Sequence, residues 1–403
     1  MRAGYDPRSV LHNAIVELEP EGVLDLSDEP VLDYRRRHQM ISVALNLGVR
    51  YDGADFGFRP PARPRVATDP TLAIIGTGKR TGKTAVAGFA ARALTKEGYK
   101  PGIVAMGRGG PAESDVIDGE EVDLTPEDLL ELADSGKHAA SDYIEDALLG
   151  RVPTVGCRRC GGGLAGGVQI SNVRQGVEKM NDLGRDLVIL EGSGSAIPPV
   201  HADAAALVVP SGVPLEYLSG YLGPYRLLLA DCVIVTMCEN PFGSSSQISS
   251  IVSHVRDAWR PTRGEREPAD EIQVVRTVFR PHPVRPIEGT AAFVATTAPQ
   301  EAAPAIKRHL EEEHGCRVVG MTHSLSDRAK LEGELADASG EADILLCEIK
   351  AAGIDVATRQ ALKKGMDVVY MDNVPHGIDG DDPVEAIVRA ARLATERYGN
   401  ESS

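Results

Sequence analysis

Aromatic residues, cysteines and cations are scarce in this sequence, and each shortage excludes a class of protein. Phe, Trp and Tyr make up only 4% of the 403 residues, too few for the stacking platforms that bind single-stranded nucleic acid. Six cysteines are too few for a disulfide scaffold and favour a reducing compartment. Lys and Arg number 43 against 59 Asp and Glu, and the formal net charge of −16 is unfavourable for binding a nucleic-acid duplex.

Long apolar runs are missing as well. No stretch approaches the roughly 20 apolar residues of a membrane-spanning helix, and no apolar signal core follows the start MRAGYDPRSV. Hydrophobic residues at 42% and charged residues at 25% are typical of a globular chain rather than a disordered or fibrous one. We therefore expect a soluble, cytoplasmic protein with neither a membrane nor a nucleic acid as partner.

Residues 1–70 form a compositional block of their own. The apolar stretch from Val23 to Leu26 predicts a short strand, and EPVLDYRRRHQMISVALNLG has helical spacing that ends near Gly48. Four prolines between Pro60 and Pro70 indicate a linker. The sequence therefore predicts a small N-terminal α/β segment and a Pro-rich linker over residues 1–70.

From Thr71 onward, short apolar strands alternate with amphipathic helices. The predicted strands are 71–75, 102–106, 186–190, 206–209, 232–236, 292–296, 317–321, 343–347 and 367–371. Several are apolar throughout, which is typical of parallel strands covered on both faces. We predict an α/β core with a mainly parallel sheet over residues 71–270. A C-terminal α/β portion over 271–403 would be either separate from that sheet or continuous with it.

The clearest motif is a glycine-rich turn between the first core strand and its helix. It comprises Gly76, Thr77, Gly78, Lys79, Arg80, Thr81, Gly82, Lys83 and Thr84. Glycines let backbone N–H groups wrap phosphate oxygens, and the helix N-terminus adds partial positive charge. Lys83 is placed to reach the β- and γ-phosphates of a nucleotide, and the Thr84 hydroxyl to ligate Mg²⁺. The pattern predicts a P-loop NTPase-like core with ATP and Mg²⁺ as cofactors; the alternative is a strand–helix turn that binds nothing.

A metal site in such a core needs a carboxylate at a neighbouring strand end. Glu191 supplies one, because the buried strand of DLVILEGSGS ends there and a glycine follows. We predict that Glu191 and Thr84 are the metal ligands. The alternative is a glutamate that only stabilises its turn.

Two cationic, glycine-rich segments predict where an anionic substrate binds. Arg108 follows the strand 102–106, and a guanidinium there can bind phosphate or carboxylate through two parallel hydrogen bonds. Segment 157–167 combines two arginines with a glycine run, and Lys350 follows strand 343–347. The predicted substrate-binding residues are Arg108, Gly109, Gly110, Arg158, Arg159, Gly162, Gly163 and Lys350. The alternatives are a solvent-facing Arg108, a flexible surface loop at 157–167 and a solvated Lys350.

Other polar residues carry weaker predictions. Cys157 and Cys160 form a C-x-x-C pair, but the sequence has no second such pair to complete a zinc site, so an anion-binding loop is the preferred interpretation. Asn373 and His376 follow the strand 367–371 and are candidate ligands, against a purely structural role.

Taken together, several segments resemble the cyclic 2,3-diphosphoglycerate synthetase family. The resemblance runs from about residue 20 to the end and rests on GVRYDGADF, SDEPVLDYRRR, GTGKRTGKT, VAMGRGGP, GCRRCGGGLAGG, VILEGSGSAIPPV and DNVPHG. The first glycine of the phosphate loop stands one residue earlier than in the common G-x-x-x-x-G-K-[ST] pattern. In this respect the loop also resembles those of dethiobiotin synthetase and the cobyrinic acid amidases. Members of the family carry a longer N-terminal region, so the resemblance implies an earlier unit that is not in this sequence.

The resemblance implies an enzyme that closes 2,3-bisphosphoglycerate into a cyclic pyrophosphate and releases ADP and phosphate. We expect Lys83, Arg108 and Glu191 to carry the catalysis, with a polyanionic small molecule as partner. Related synthetases imply a homodimer. Two alternatives are a kinase-type phosphotransferase that makes 2,3-bisphosphoglycerate, and a nucleotide switch or metallochaperone without a small-molecule acceptor.

Overall fold

A computed structural model describes residues 6–121, 125–135, 139–259, 272–337 and 341–401 of the protein. The N-terminal part holds the helices α1 (Pro7–Leu18) and α2 (Tyr34–Asn46) and a three-stranded sheet. Its strands, in sheet order, are β1 (Gly22–Leu24), β2 (Arg50–Asp52) and β3 (Gly57–Phe58). The side chains of Asp6 and Asp33 cap α1 and α2 by accepting hydrogen bonds from backbone N–H groups, so both helix starts are encoded locally.

A second sheet carries most of the molecule and contains 13 strands within the described ranges. The strands of its first part are β4 (Thr71–Gly76), β5 (Pro101–Gly107), β6 (Asp115–Asp118), β7 (Pro153–Cys160), β8 (Ile170–Ser171), β9 (Leu187–Glu191), β10 (Ala204–Pro210) and β11 (Cys232–Thr236). Their order is β11-β10-β4-β9-β5-β7-β6, with β8 beside β7, and all pairs are parallel except β6–β7 and β7–β8. Every residue of β4, β5 and β9 is buried, which explains their uninterrupted apolar pattern.

The second part of this sheet is joined to the first by a two-stranded ribbon. Its strands are β12 (Gln273–Pro283), β13 (Ala291–Ala295), β14 (Arg317–Thr322), β15 (Ile344–Glu348) and β16 (Asp367–Gly377), in the order β14-β13-β15-β16-β12. β12 begins parallel to β11 and then pairs antiparallel with β16, whereas β13 to β16 pair parallel to one another. The antiparallel stretch lies beyond the ends of β11 and β15. The carboxyl ends of the two parallel groups therefore point toward each other.

Helices cover both faces of the large sheet. In the ranges given above they are α3 (Lys83–Lys96), α4 (Pro126–Asp134), α5 (Asp142–Gly150), α6 (Val173–Asn181), α7 (Glu216–Ser219), α8 (Gly223–Leu229), α9 (Ser245–Trp259), α10 (Ala303–His314), α11 (Arg328–Asp337), α12 (Arg359–Lys363) and α13 (Pro383–Glu401). α3 and α13 share one apolar cluster on one face, and α2, α6, α8 and α9 share another. None of the helices in these ranges is both long and apolar enough to span a bilayer. The predicted α/β class, with a mainly parallel sheet flanked by helices, is confirmed.

Two of the stretches that differ from the sequence-based expectation bear on the site and on the joining ribbon. β7 continues to Cys160, so Arg158 and Arg159 lie on a strand, and the expected loop is confined to residues 161–167. The proline-containing stretch of β12 is a strand although its sequence predicted none. The expected division between residues 270 and 271 falls outside the described residues.

Candidate active site

The glycine-rich turn lies where β4 ends and α3 begins. Gly82 occupies the N-cap position of α3 with φ of 90°, and a Cβ there would lie 2.4 Å from the Phe279 ring of β12. Only glycine satisfies both the left-handed backbone and this close packing. The Thr236 hydroxyl at the end of β11 donates to the Thr81 carbonyl at 2.9 Å, which ties the turn to a second strand end. The loop is therefore held by the strands around it.

Lys83 folds back over this loop. Its Nζ atom donates to the Gly78 carbonyl at 2.8 Å and to the Thr81 hydroxyl at 3.3 Å, and the residue is buried. Burial lowers the pKa of the Lys83 ammonium, while nearby Glu191 and Asp142 oppose that shift. A poorly hydrated ammonium group held against a phosphate-wrapping loop can bind an incoming phosphate with little loss of hydration.

Glu191 ends β9 directly beside the loop. In the sheet it is level with Ile74 of β4 and Ala105 of β5, and its Oε1 accepts a 2.7 Å hydrogen bond from the Thr84 hydroxyl. The two predicted metal ligands thus touch, although they stand 107 positions apart in the chain. Burial raises the pKa of Glu191 to about 8, and Asp142 acts in the same direction.

Helix α5 adds carboxylates that the sequence interpretation missed. Asp142, Glu145 and Asp146 are spaced i, i+3 and i+4, which places them on one helix face. Glu145 and Asp146 are buried, and burial raises the pKa of all three carboxyl groups. The sequence does show three acids with helical spacing after a Ser N-cap, a pattern that indicates an acidic helix face. Nothing in the sequence showed that this face turns inward toward Glu191.

These carboxylates fit a hard divalent cation. Glu191 Oε2 and both carboxylate oxygens of Asp146 are buried without a hydrogen-bond partner in the part of the chain that the structure describes. Carboxylate and hydroxyl oxygens are the donors that Mg²⁺ prefers. Among the same residues, no three His, Cys, Asp or Glu side chains converge closely enough to hold a metal by themselves. A cation here would need phosphate oxygens and waters to complete its coordination.

The segment after β5 places an exposed arginine beside the acids. Arg108 is exposed, and a Cβ on Gly107 would lie 3.3 Å from the Asp142 carboxylate. A Cβ on Gly110 would lie 2.0 Å from the Cys157 carbonyl, so glycine is required for the close approach of this turn to β7. Gly109, between them, is exposed.

The two arginines of β7 differ in their surroundings. Arg158 is exposed, and its Nε donates to the Gly110 carbonyl at 2.6 Å. Arg159 is buried and donates to the carbonyls of Gly161 at 2.7 Å and Ser193 at 2.8 Å. Burial lowers the pKa of Arg159, and nearby Arg108 lowers it further. Arg159 therefore joins the exposed glycine loop, with Gly162 and Gly163, to the segment that follows Glu191.

Lys350 connects the second half of the sheet to this site. It follows β15, and its Nζ atom lies 2.8 and 2.9 Å from the two carboxylate oxygens of Glu145 on α5. Burial opposes protonation of Lys350, but Glu145 and Glu348 outweigh it and raise its pKa. Asp142 lies near both lysines, since Lys350 and Lys83 each act to lower its pKa. Residues of both sheet halves thus meet around α5.

Profiles of one family match almost the whole chain. The N-terminal, P-loop and C-terminal domains of cyclic 2,3-diphosphoglycerate synthetase match residues 2–59, 71–262 and 283–374. The chain belongs to the cyclic 2,3-diphosphoglycerate synthetase family.

Curated members of the family are similar to nearly the whole of this chain, which covers more than four fifths of their length. The synthetase of Methanothermobacter thermautotrophicus is 45% identical over 397 residues, covering 96% of this chain and 83% of the relative. That of Methanothermus fervidus is 44% identical over 396 residues, covering 98% and 84%. That of Rubrobacter xylanophilus is 45% identical over 394 residues, covering 97% and 86%. The predicted family is confirmed, and with it an enzyme that has a nucleotide-binding P-loop domain and a small-molecule substrate.

The weaker candidates contact residues outside the P-loop. Asn373 donates to Glu348 Oε1 at 3.2 Å, and His376 lies beside His309 of α10. Cys157 is buried and Cys160 is exposed. Three positions apart on a strand, the two cysteines point to opposite faces, so this pair does not form half of a zinc site.

Proposed function

We propose that this chain uses ATP to close 2,3-bisphosphoglycerate into its cyclic pyrophosphate, releasing ADP and inorganic phosphate. The observation that carries the proposal is the contact of Thr84 with Glu191 beside the phosphate loop, next to the exposed Arg108 and Arg158. Family membership at 45% identity supports the same reaction. The substrate carries about five negative charges near neutral pH, and a local cluster of cations provides for it in an acidic protein.

The site assignments follow from this arrangement. Residues 76–84 wrap the triphosphate, and Lys83 neutralises charge on its β- and γ-phosphates. Thr84 and Glu191 would hold Mg²⁺, with Asp146 close to Glu191. When bound, that ion would withdraw charge from the phosphate oxygens. The acceptor would be held by the predicted residues Arg108, Gly109, Gly110, Arg158, Gly162, Gly163 and Lys350, with Arg159 supporting the glycine loop.

The reaction would proceed in two displacements. First, an oxygen of one substrate phosphate attacks the γ-phosphorus of ATP, the bond to the bridging oxygen breaks, and ADP leaves. Lys83 and the loop amides stabilise the charge that develops. Second, an oxygen of the neighbouring phosphate attacks the activated substrate phosphorus, a pyrophosphate bond forms, and inorganic phosphate leaves. Oriented intramolecular attack contributes up to about 7–11 kcal/mol, and both nucleophiles are already anions, so no strong base is needed.

Phosphorus NMR tests the proposal directly. With ATP, MgCl₂ and 2,3-bisphosphoglycerate, we expect a new pyrophosphate resonance and one inorganic phosphate for each ADP formed. A phosphomonoester alone, formed from a phosphoglycerate, would show a kinase instead. ADP release that does not depend on any phosphoglycerate would show a nucleotide switch. Lys83→Ala is the matched control and should give neither product.

We propose three further features of the protein: its location, its oligomeric state and its division into domains. We infer a cytoplasmic location, supported by six free cysteines. A homodimer is inferred from related synthetases. The units 1–70, 71–270 and 271–403 are supported by the three matched family domains.

A further inference from the structure

Four histidines from three elements form a row outside the phosphate loop. They are His282 of β12, His314 and His309 of α10, and His376 of β16. Neighbouring ring centroids are 5.3 Å apart for His282 and His314, 5.4 Å for His314 and His309, and 5.6 Å for His309 and His376. The sequence interpretation assigned no role to His282 and a weak one to His376, because this row exists only after folding.

The ring nitrogens of the row are available to a ligand. In the described residues none of them has a hydrogen-bond partner, whereas His201, His323 and His38 each have one. His282 and His376 are exposed, and His309 and His314 are half-buried. Histidines that serve only to pack a core are buried and hydrogen-bonded, so this row differs from a structural cluster.

Carboxylates near the row are mostly engaged by arginines. On the β12 side, Arg280 is paired with Glu239 at 2.6 Å. On the β16 side, Asp372 is paired with Arg92 of α3 at 2.5 Å. On α10, Glu313 is the acid that acts on His309 and His376. Arg280 and Asp372 are therefore each paired with a partner of opposite charge, and Glu313 is the carboxylate that favours protonation of His309 and His376.

Mutual repulsion adds to burial in keeping these rings neutral. Burial lowers the pKa of His309 to about 4, and His376, His314 and Arg280 contribute in the same direction. His282 and His376 are exposed but partly covered by protein, and the resulting loss of hydration also lowers their pKa, again assisted by neighbouring histidines and arginines. A bound anion would relieve that repulsion, so anion binding and ring protonation would favour each other.

We propose that the histidine row binds a phosphate-bearing anion, either free inorganic phosphate or a phosphomonoester, as its imidazoles become protonated. Protonated rings offer N–H donors on both nitrogens, and spaced donors of this kind match the several oxygens of a phosphate group. A transition-metal site is the other chemistry open to histidines, but the described residues contain no three such side chains that converge on one point. None of the four histidines was assigned to the phosphate loop, and the proposal does not depend on the proposed reaction.

Histidine-ring NMR on the full chain tests the site, because each ring reports its own protonation. Imidazole pKa values are measured in chloride and in inorganic phosphate at equal ionic strength, with glycerol phosphate as a separate arm. We expect phosphate to raise the pKa of His309 and His376 by at least about 0.7 unit, which corresponds to an about five-fold preference for the protonated rings. His12 on α1 is the internal control and should not shift. An effect of inorganic phosphate alone identifies the free anion, and an effect of glycerol phosphate alone identifies the ester; either supports the site.

A pair of variants tests the site without the need to assign NMR signals to individual histidines. His309→Gln with His376→Gln should remove the tightening of phosphate binding between about pH 6 and about pH 4, the range in which His309 becomes protonated, whereas His12→Gln should keep it. If the double variant does not fold, the ring measurements on the native chain decide alone. Equal pKa values in chloride and in both phosphate solutions would overturn the proposal, as would an equal shift at His12.

Discussion

The ion pair between Lys350 and Glu145 links the two halves of the large sheet. Its removal should lower the free energy of unfolding by an amount that depends on pH. Lys350→Met keeps the length of the side chain but leaves the Glu145 carboxylate unpaired. Breaking a fully buried pair costs about 3–5 kcal/mol. The Lys350 side chain is 39% exposed and that of Glu145 is 12% exposed. Solvent therefore screens the pair, and we expect a loss of about 2–3 kcal/mol in the free energy of unfolding.

The pH dependence follows from the carboxyl group that remains. Burial raises the pKa of Glu145 while Lys350 lowers it, so removing Lys350 raises that pKa further. The folded variant then holds a proton that the unfolded chain releases, and its stability falls as pH rises above the ordinary carboxyl range. The cost of Lys350→Met should be small near pH 5 and full near pH 8.

Urea unfolding followed by circular dichroism at both pH values measures this cost. Adding Glu145→Gln to Lys350→Met should recover most of the loss, because no unpaired charge remains. Lys307→Met is the matched control, since Lys307 and Glu311 form an exposed pair at 3.7 Å that should contribute less than about 1 kcal/mol. A single variant as stable as the native chain at pH 8, or a double variant no more stable than the single one, would refute the reasoning.

Four other outcomes are expected. Lys83→Ala should abolish turnover without changing the circular dichroism spectrum, because its ammonium acts on phosphate rather than on packing. Thr84→Val and Glu191→Gln should each lower kcat by about 10–1,000-fold and raise the Mg²⁺ concentration needed for half-maximal rate; an unchanged Mg²⁺ dependence would contradict their role. Arg108→Ala should raise KM for 2,3-bisphosphoglycerate more than KM for ATP, and equal effects in steady-state kinetics would remove its assignment to the acceptor. Asp203 has a pKa lowered to about 2, since hydrogen bonds from His201, Thr71 and Arg65 outweigh its burial. The ionised carboxylate therefore stabilises the fold above the ordinary carboxyl pKa, and this stabilisation is lost as pH falls toward 2. Asp203→Asn should reduce the loss of unfolding free energy at acid pH, as measured by urea unfolding.

The parts of the site that lie on consecutive residues could be predicted from the sequence. Residues 76–84 carry their own backbone requirements, and Glu191 was recognisable because a buried strand ends there. The class of fold could be predicted for a similar reason, since strands buried on both faces, such as β4 and β9, are apolar throughout.

The missed features depend on contacts between distant segments. Asp146 was invisible as part of the site because its helix meets Glu191 only in the folded chain. β12 was missed because Pro281 and Pro283 lack the N–H group of a regular strand, although each opposes a residue of β16 in the ribbon. Arg159 looked like a ligand residue, and the carbonyls that it binds could not be known before folding.

The β12–β16 ribbon has a mechanical consequence for access to the site. A polypeptide tether would let the two halves swing apart freely, but here a continuous ladder of backbone hydrogen bonds runs from one half to the other. Any widening of the space between the facing strand ends must therefore be absorbed as bending or coiling of two strands. Any opening of that space to admit a nucleotide or release a product would then work against an elastic element.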